Sequence, residues 1–260
     1  MSKSVARRIA LPALAVIAAL GMPQPSVAQL NPDLAKASAA AWKAGRIYVP
    51  AELSTTGKPC ESMPGGPCEK TIKEGKHPVI VFMHGCDGPK NPATFLGHGA
   101  IVVAPNSLAG GRHCRYDAQS FGRFILQRRV DALTAANEVK ASNWADPDRL
   151  ILAGFANGAR VAALYVRDDF LARIIVAWTC TAPQNGPDHS GIRGKGPALA
   201  VLGTADEYLK RHKITGNCND AVATRGGPSK SLLIEKGGHQ ILDHAQTRAA
   251  VKEFLAEVLK

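Results

Sequence analysis

The sequence predicts a small, doubly wound α/β domain built on a mainly parallel sheet. Three observations predict it. Apolar runs of strand length, such as Pro78–Met83 and Ala100–Ala104, lack the polar alternation of half-exposed strands, as strands covered on both faces do. These runs alternate with segments whose apolar residues recur at helical spacing, the pattern of strand–helix–strand crossovers. Several runs also end in short glycine-bearing loops, where an open parallel sheet presents its chemistry. Composition agrees: 45% hydrophobic and 20% charged residues exclude a collagen, a coiled coil and a chain without a core.

Residues 1–28 have the order of an export signal. Lys3, Arg7 and Arg8 precede an apolar run from Ile9 to Met22, shorter than the roughly 20 residues that span a bilayer. Pro23 and Pro25 break the run, and Ser26-Val27-Ala28 offers small residues for cleavage before Gln29. Export places the mature chain in the periplasm or outside the cell, with no membrane span left after cleavage.

Residues 29–75 read as an N-terminal extension: a helical stretch over Leu34–Lys43, a first strand over Arg46–Pro50, and a loop from Gly57 to Pro67 carrying Cys60, with Cys68 just beyond. The core follows over residues 76–260. Strands Pro78–Met83 and Ala100–Ala104 lead to a helix over Ala118–Lys140, with Leu126, Val130 and Leu133 on one face. Asp146-Pro147-Asp148 announces a strand over Arg149–Ala153. A helix opens at Asn157 and runs past Val166, and a strand over Ile174–Trp178 comes next. Strands Ala198–Leu202 and Ser231–Ile234 and a closing helix over His244–Leu259, burying Val251, Leu255 and Val258, complete the order.

Four loops beyond strand ends are distinctive. His84-Gly85-Cys86-Asp87-Gly88 follows Met83, and a glycine-bearing loop there can turn backbone N–H groups inward to hold a developing oxyanion. Gly154-Phe155-Ala156-Asn157-Gly158 lies between a strand and a helix. Glycines two residues either side let the helix pack close while the central residue takes a strained conformation, the pattern of a nucleophile elbow. That pattern requires Ser, Cys or Asp at its centre; this chain has Ala156. Gly203-Thr204-Ala205-Asp206-Glu207 follows Leu202, and a carboxylate there, Asp206 or its neighbour Glu207, can orient an imidazole and stabilise it once protonated. Gly237-Gly238-His239 lies between the last strand and the last helix. Elbow, then acid, then histidine is the chain order of the α/β-hydrolase triad.

With HGCDG, GFANG, GTADE and GGH in this order over residues 45–260, the chain resembles the α/β-hydrolase superfamily. Within it, the resemblance is to small, exported dienelactone-hydrolase-like members. The resemblance implies a sheet of the α/β-hydrolase type with no large lid, and carboxyl-ester hydrolysis by acyl transfer on a small-molecule ester, with no cofactor and no metal. It also implies a triad of position 156 with acid Asp206 and base His239. The backbone N–H groups of Cys86 and Asn157 would form the oxyanion hole, with His84, Gly85, Gly154 and Gly158 as supporting motif residues.

Ala156 departs from that pattern, because without a side-chain oxygen or sulfur no acyl-enzyme forms there. The alanine reads as an engineered removal of serine or cysteine, as a natural loss leaving a pseudo-hydrolase that binds a small molecule or protein partner, or as takeover by Cys86 or Ser107. Retained Asp206, His239 and elbow glycines favour an intact or recently lost site. His84 reads as a hydrogen-bonding group that shapes its loop rather than as a base. The eight histidines show neither HxxxH nor HExxH spacing, so no metal site is expected.

All six cysteines follow the export signal, which places them in an oxidising compartment and makes disulfides the expected state. No CxxC pair points to zinc or thioredoxin chemistry. Proximity in the implied fold suggests Cys60–Cys68 as a local closure, and Cys86–Cys114 and Cys180–Cys218 between segments that follow neighbouring strands. Bridging Cys86 would remove it as a nucleophile. The net charge of +11 is scattered in short clusters such as Arg128-Arg129 and Lys210-Arg211, which fits a solvated surface and not a nucleic-acid face. Arg112, His113 and Arg115 are expected near the mouth of the site, where they would attract an acidic substrate.

Overall fold

The computed structural model describes residues 31–89, 92–114, 118–181 and 190–260; the expected export signal and Arg115 lie outside the described residues. Helix α1 (Pro32–Lys43) is followed by strands β1 (Arg46–Val49), β2 (Cys60–Ser62), β3 (His77–Met83) and β4 (Ile101–Ala104). Next come α2 (Ala118–Ala141), β5 (Ala145–Phe155), α3 (Asn157–Leu164) and β6 (Ala172–Val176). The chain closes with β7 (Ala198–Gly203), short helices α4 (Glu207–Arg211) and α5 (Asn219–Ala223), β8 (Lys230–Ile234) and α6 (Ala245–Val258).

Eight described strands form one sheet in the order β2-β1-β4-β3-β5-β6-β7-β8. From β4 to β8 every neighbour is parallel, and β1 runs antiparallel to both β2 and β4. The mainly parallel α/β sheet is therefore the one the sequence predicts. Side chains alternate across it with the period of a strand. Val79, Val81, Met83, Val103 and Leu152 pack under Leu133 and Val139 of α2 and Val161 of α3. Ile80, Phe82, Val102, Ile151 and Val201 pack on the opposite face against Val251, Phe254 and Leu255 of α6. Because both faces are covered, the strands contain little but apolar residues.

Several boundaries differ from the sequence reading, each for a local reason. Strand β2 lies inside the segment expected to be a loop; its three residues add to the sheet through backbone pairing with β1, which leaves no apolar signature. Strand β6 lies two residues earlier than expected and stops at Val176, because Ala177 takes a left-handed φ of 60°. Helix α3 stops at Leu164 with Tyr165 extended at its end, so Val166 lies outside it and is exposed. On α2, Val130 and Leu133 are buried as expected, whereas Leu126 is 46% exposed and Ile125 takes its place in the core.

The three expected disulfides are present: Cys60–Cys68, Cys86–Cys114 and Cys180–Cys218. Among the described residues no helix is long and apolar enough to cross a membrane. With β3, β5, β7 and β8 parallel, the loops after Met83, Phe155, Gly203 and Ile234 all emerge at one edge of the sheet, and the four sequence motifs meet there.

Candidate functional site

The junction between β5 and α3 is the most constrained point of this edge. Ala156 has φ 53° and ψ −118°, outside the regions that residues with a Cβ normally occupy. Its N–H donates to the Val176 carbonyl at 2.9 Å, and its own carbonyl accepts from the Arg160 N–H at 3.1 Å. The flanking glycines make room for the reversal. A Cβ on Gly154 would lie 2.2 Å from the Gly158 carbonyl oxygen, and one on Gly158 would lie 1.8 Å from the Met83 oxygen. Only glycine fits at either position while α3 stays against β3 and β5.

The ends of β7 and β8 are zipped together. The Thr204 N–H donates to the Ile234 carbonyl at 3.0 Å and the Ala205 N–H to the Gly237 carbonyl at 2.8 Å. Gly203 permits this approach, since a Cβ there would meet the Gly237 oxygen at 2.3 Å. The zip brings Asp206 to His239. Asp206 Oδ2 lies 2.7 Å from His239 Nδ1, while Oδ1 accepts the Leu209 N–H at 3.0 Å and so caps α4. The carboxylate is 2% exposed, so both its oxygens are held in place. Glu207 points elsewhere, and its Oε2 accepts the backbone N–H of His239 at 3.1 Å. The imidazole thus meets Asp206 and the main chain meets Glu207. The rings of Phe155 and Tyr208 lie 5.4 and 5.0 Å from that of His239.

His84 is buried beneath the loop after β3. The Ser107 N–H donates to its Nε2 at 3.0 Å, so the ring proton sits on Nδ1, which donates to the Gly85 carbonyl at 2.5 Å. Burial, followed by the nearby Arg128 charge, pushes its pKa down to about 3. Arg128, fully buried, donates to the His84 carbonyl. His84 is therefore a neutral scaffold for the loop. Cys86 is bridged to Cys114, and its sulfur accepts from Asn157 Nδ2 at 2.6 Å.

These contacts remove one alternative that the sequence left open and correct one expectation. Takeover by a free Cys86 thiol or by Ser107 does not fit, because Cys86 is disulfide-bonded and Ser107 is fully buried behind His84. Arg112 is not free to attract an anion: it pairs with the buried carboxylate of Asp131 at 3.1 Å and also donates to the Ala37 carbonyl.

Ala156, His239, Cys86 and Asn157 share the wall of a cleft of about 230 Å³. Trp178, Tyr208 and Arg211 also line the cleft, and none of these three belongs to a sequence motif. Trp178 and Tyr208 follow the ends of β6 and β7, so their place just past a parallel strand was the available signal. Among the described residues, no group of three His, Cys, Asp or Glu side chains is placed to hold a metal ion.

The sheet, the strained strand–helix junction and the loop order define an α/β-hydrolase fold. Solved structures of the same fold include esterase PE8, at 18% identity and TM-score 0.53 over 71% of this chain and 94% of that one. A putative dienelactone hydrolase from Klebsiella pneumoniae subsp. pneumoniae MGH 78578 matches at 14% identity and TM-score 0.52, over 72% and 89% of the two chains. Esterase Est2 of Thermogutta terrifontis with propionate bound matches at 18% and 0.50, over 71% and 84%. No family model and no curated protein matches the chain. At these identities the likeness is one of fold.

Proposed function

We propose that this is an exported protein of carboxyl-ester hydrolase lineage whose cleft takes an ester-like small molecule. In this reading it keeps the acid, base and oxyanion donors of an acyl-transfer site while Ala156 fills the nucleophile position. The observation that carries this reading is the strained elbow conformation of Ala156 in the same cleft wall as the Asp206–His239 pair. In the parent reaction, Asp206 orients His239 and stabilises its imidazolium, and His239 takes the proton of the group at position 156. Asn157 is the first residue of α3, so the helix leaves its N–H unused. Together with the Cys86 N–H it serves as oxyanion donor.

Without a nucleophile, acceleration falls to the roughly 10³–10⁴-fold over water that binding and an oxyanion hole supply. The alanine itself favours the second reading, a pseudo-hydrolase that binds without turnover. Hydrolysis of p-nitrophenyl acetate by this chain and by Ala156→Ser separates the two. A serine variant at least about 100-fold faster, and silenced by adding His239→Ala, supports a site lacking only its nucleophile. Two inactive proteins support binding alone. Turnover by the unmodified chain that His239→Ala abolishes would overturn the assignment of position 156. The basic start and apolar run of residues 1–28 support export, and an exported product beginning at Gln29 is the expected N-terminal sequence.

A further inference from the structure

We infer that Cys86–Cys114 is a redox centre of the cleft that exchanges with low-molecular-weight thiols, with His239 accepting the thiol proton. The three disulfides are not equivalent. Cys180 and Cys218 are both buried, as is Cys68, whereas Cys60, Cys86 and Cys114 are partly exposed, and of these Cys86 lines the cleft that holds His239. His239 lines the same cleft, and because its Nδ1 is engaged by Asp206, Nε2 is the ring nitrogen left for a bound molecule. Asn157 Nδ2 lies 2.6 Å from Cys86 Sγ and 3.9 Å from Cys114 Sγ, a donor placed to stabilise charge on either sulfur as the bond between them breaks.

In the exchange, a thiol RSH gives its proton to His239 Nε2, and the thiolate attacks Cys86 Sγ. The Cys86–Cys114 bond breaks, Cys114 leaves with the electron pair as a thiolate that takes a proton from water, and the imidazolium returns its proton to water. A second RSH attacks the R sulfur of the mixed disulfide, releasing RSSR and the Cys86 thiol. Two thiols are oxidised and one protein disulfide is reduced; a small disulfide reverses the sequence. Nothing is required at position 156. The inference goes beyond the ester reading and gives the Asp206–His239 pair a role that reading leaves without a nucleophile.

The size of the effect follows from thiol ionisation. With a pKa near 8.5, about 3% of a thiol is thiolate at pH 7, so a base in the cleft accelerates attack by at most about 30-fold. The full chain in its oxidised form, treated with glutathione, acid-quenched and mapped by peptide mass spectrometry, should show its first adduct on Cys86. Cys60–Cys68 and Cys180–Cys218 should still be closed at that point. His239→Ala should slow adduct formation by about 10- to 30-fold at pH 7 and by less than about 2-fold at pH 9.5, where the thiol is already ionised. His239→Gln, which can keep a hydrogen bond to Asp206 without acting as a base, should behave alike and guards against misfolding of the alanine variant. A first adduct on Cys114 or Cys60, equal opening of all three disulfides, or a rate gap that persists at pH 9.5 would overturn the inference. Because position 156 takes no part, an inactive Ala156→Ser esterase leaves this test intact.

Discussion

Replacing His84 by glutamine makes acid stability a direct readout of the loop that carries Cys86. The ring is buried and neutral, donating from Nδ1 to the Gly85 carbonyl and accepting the Ser107 N–H at Nε2. A second proton would set an Nε2–H against the Ser107 N–H, in a pocket that already holds Arg128. The pKa is accordingly pushed from 6.5 to about 3, first by burial and then by that charge. Between those values the unfolded chain binds a proton here that the folded chain does not, so stability falls as the pH falls. The contribution is fully present above pH 6.5 and is lost progressively towards pH 3, at about 1.4 kcal/mol per pH unit. From pH 6.5 to 4.5 the loss is about 2 kcal/mol, a sizeable part of the roughly 5–15 kcal/mol that holds a typical domain. Glutamine offers one donor and one acceptor but does not titrate. Urea unfolding of both proteins, followed by tryptophan fluorescence at several pH values, isolates this contribution, because the other ionisable groups are common to both. The stability gap between them should shrink by about 2 kcal/mol from pH 6.5 to 4.5. A gap that stays constant would refute the buried neutral histidine.

Two further substitution sets test the frame. Gly158→Ala places a Cβ 1.8 Å from the Met83 oxygen and must displace α3, all of whose residues are buried; the urea midpoint should report a loss at or above the upper end of about 1–3 kcal/mol. Gly122→Ala, in α2 where an added Cβ would meet no described atom within 4 Å beyond its own helix backbone, should gain about 0.5–1 kcal/mol, and equal effects at the two sites would refute the close-approach argument. Alanine pairs at the disulfides should rank by loop length. Opening Cys180–Cys218, with a separation of 38, should cost about 4 kcal/mol, and opening Cys60–Cys68, with a separation of 8, about 2.5 kcal/mol, measured by the same unfolding assay.

The parallel core was legible in the sequence because strands buried on both faces cannot avoid long apolar runs, as in Val79–Phe82. Strand β2 was not, because its contribution is backbone pairing and its side chains carry no periodic pattern. The apolar run of β6 continues through Ala177 and Trp178 and so points two residues too far along the chain, whereas the backbone turns at Ala177, which has φ 60°. Among the motifs, glycine spacing showed where the main chain must reverse. It could not choose between Asp206 and Glu207, which adjoin in sequence and part only in space, one facing the imidazole and the other the main chain. Trp178, Tyr208 and Arg211 carry no spacing signature, since the segment after β6 and helix α4 deliver them separately to the cleft.

The elbow geometry separates two things that sequence motifs run together. A non-glycine residue at φ 53° and ψ −118° costs on the order of 1–3 kcal/mol, and the side chain at position 156 is a single methyl, partly packed against the core, with no polar group to bond. What holds the reversal is the N–H bond to Val176, the carbonyl bond from Arg160, and the contacts that Gly154 and Gly158 allow. The other members of the constellation are likewise anchored without reference to position 156. Asp206 caps α4, Glu207 holds the main chain of His239, and Gly203 seats the Gly237 carbonyl. Loss of a hydroxyl or thiol at the elbow therefore removes the chemistry and leaves the frame standing. It follows that an intact Asp206–His239 pair does not by itself imply turnover. Each residue has a structural partner that would keep it in place after the reaction was gone, and only the chemistry done in the cleft distinguishes a retained use from a retained shape.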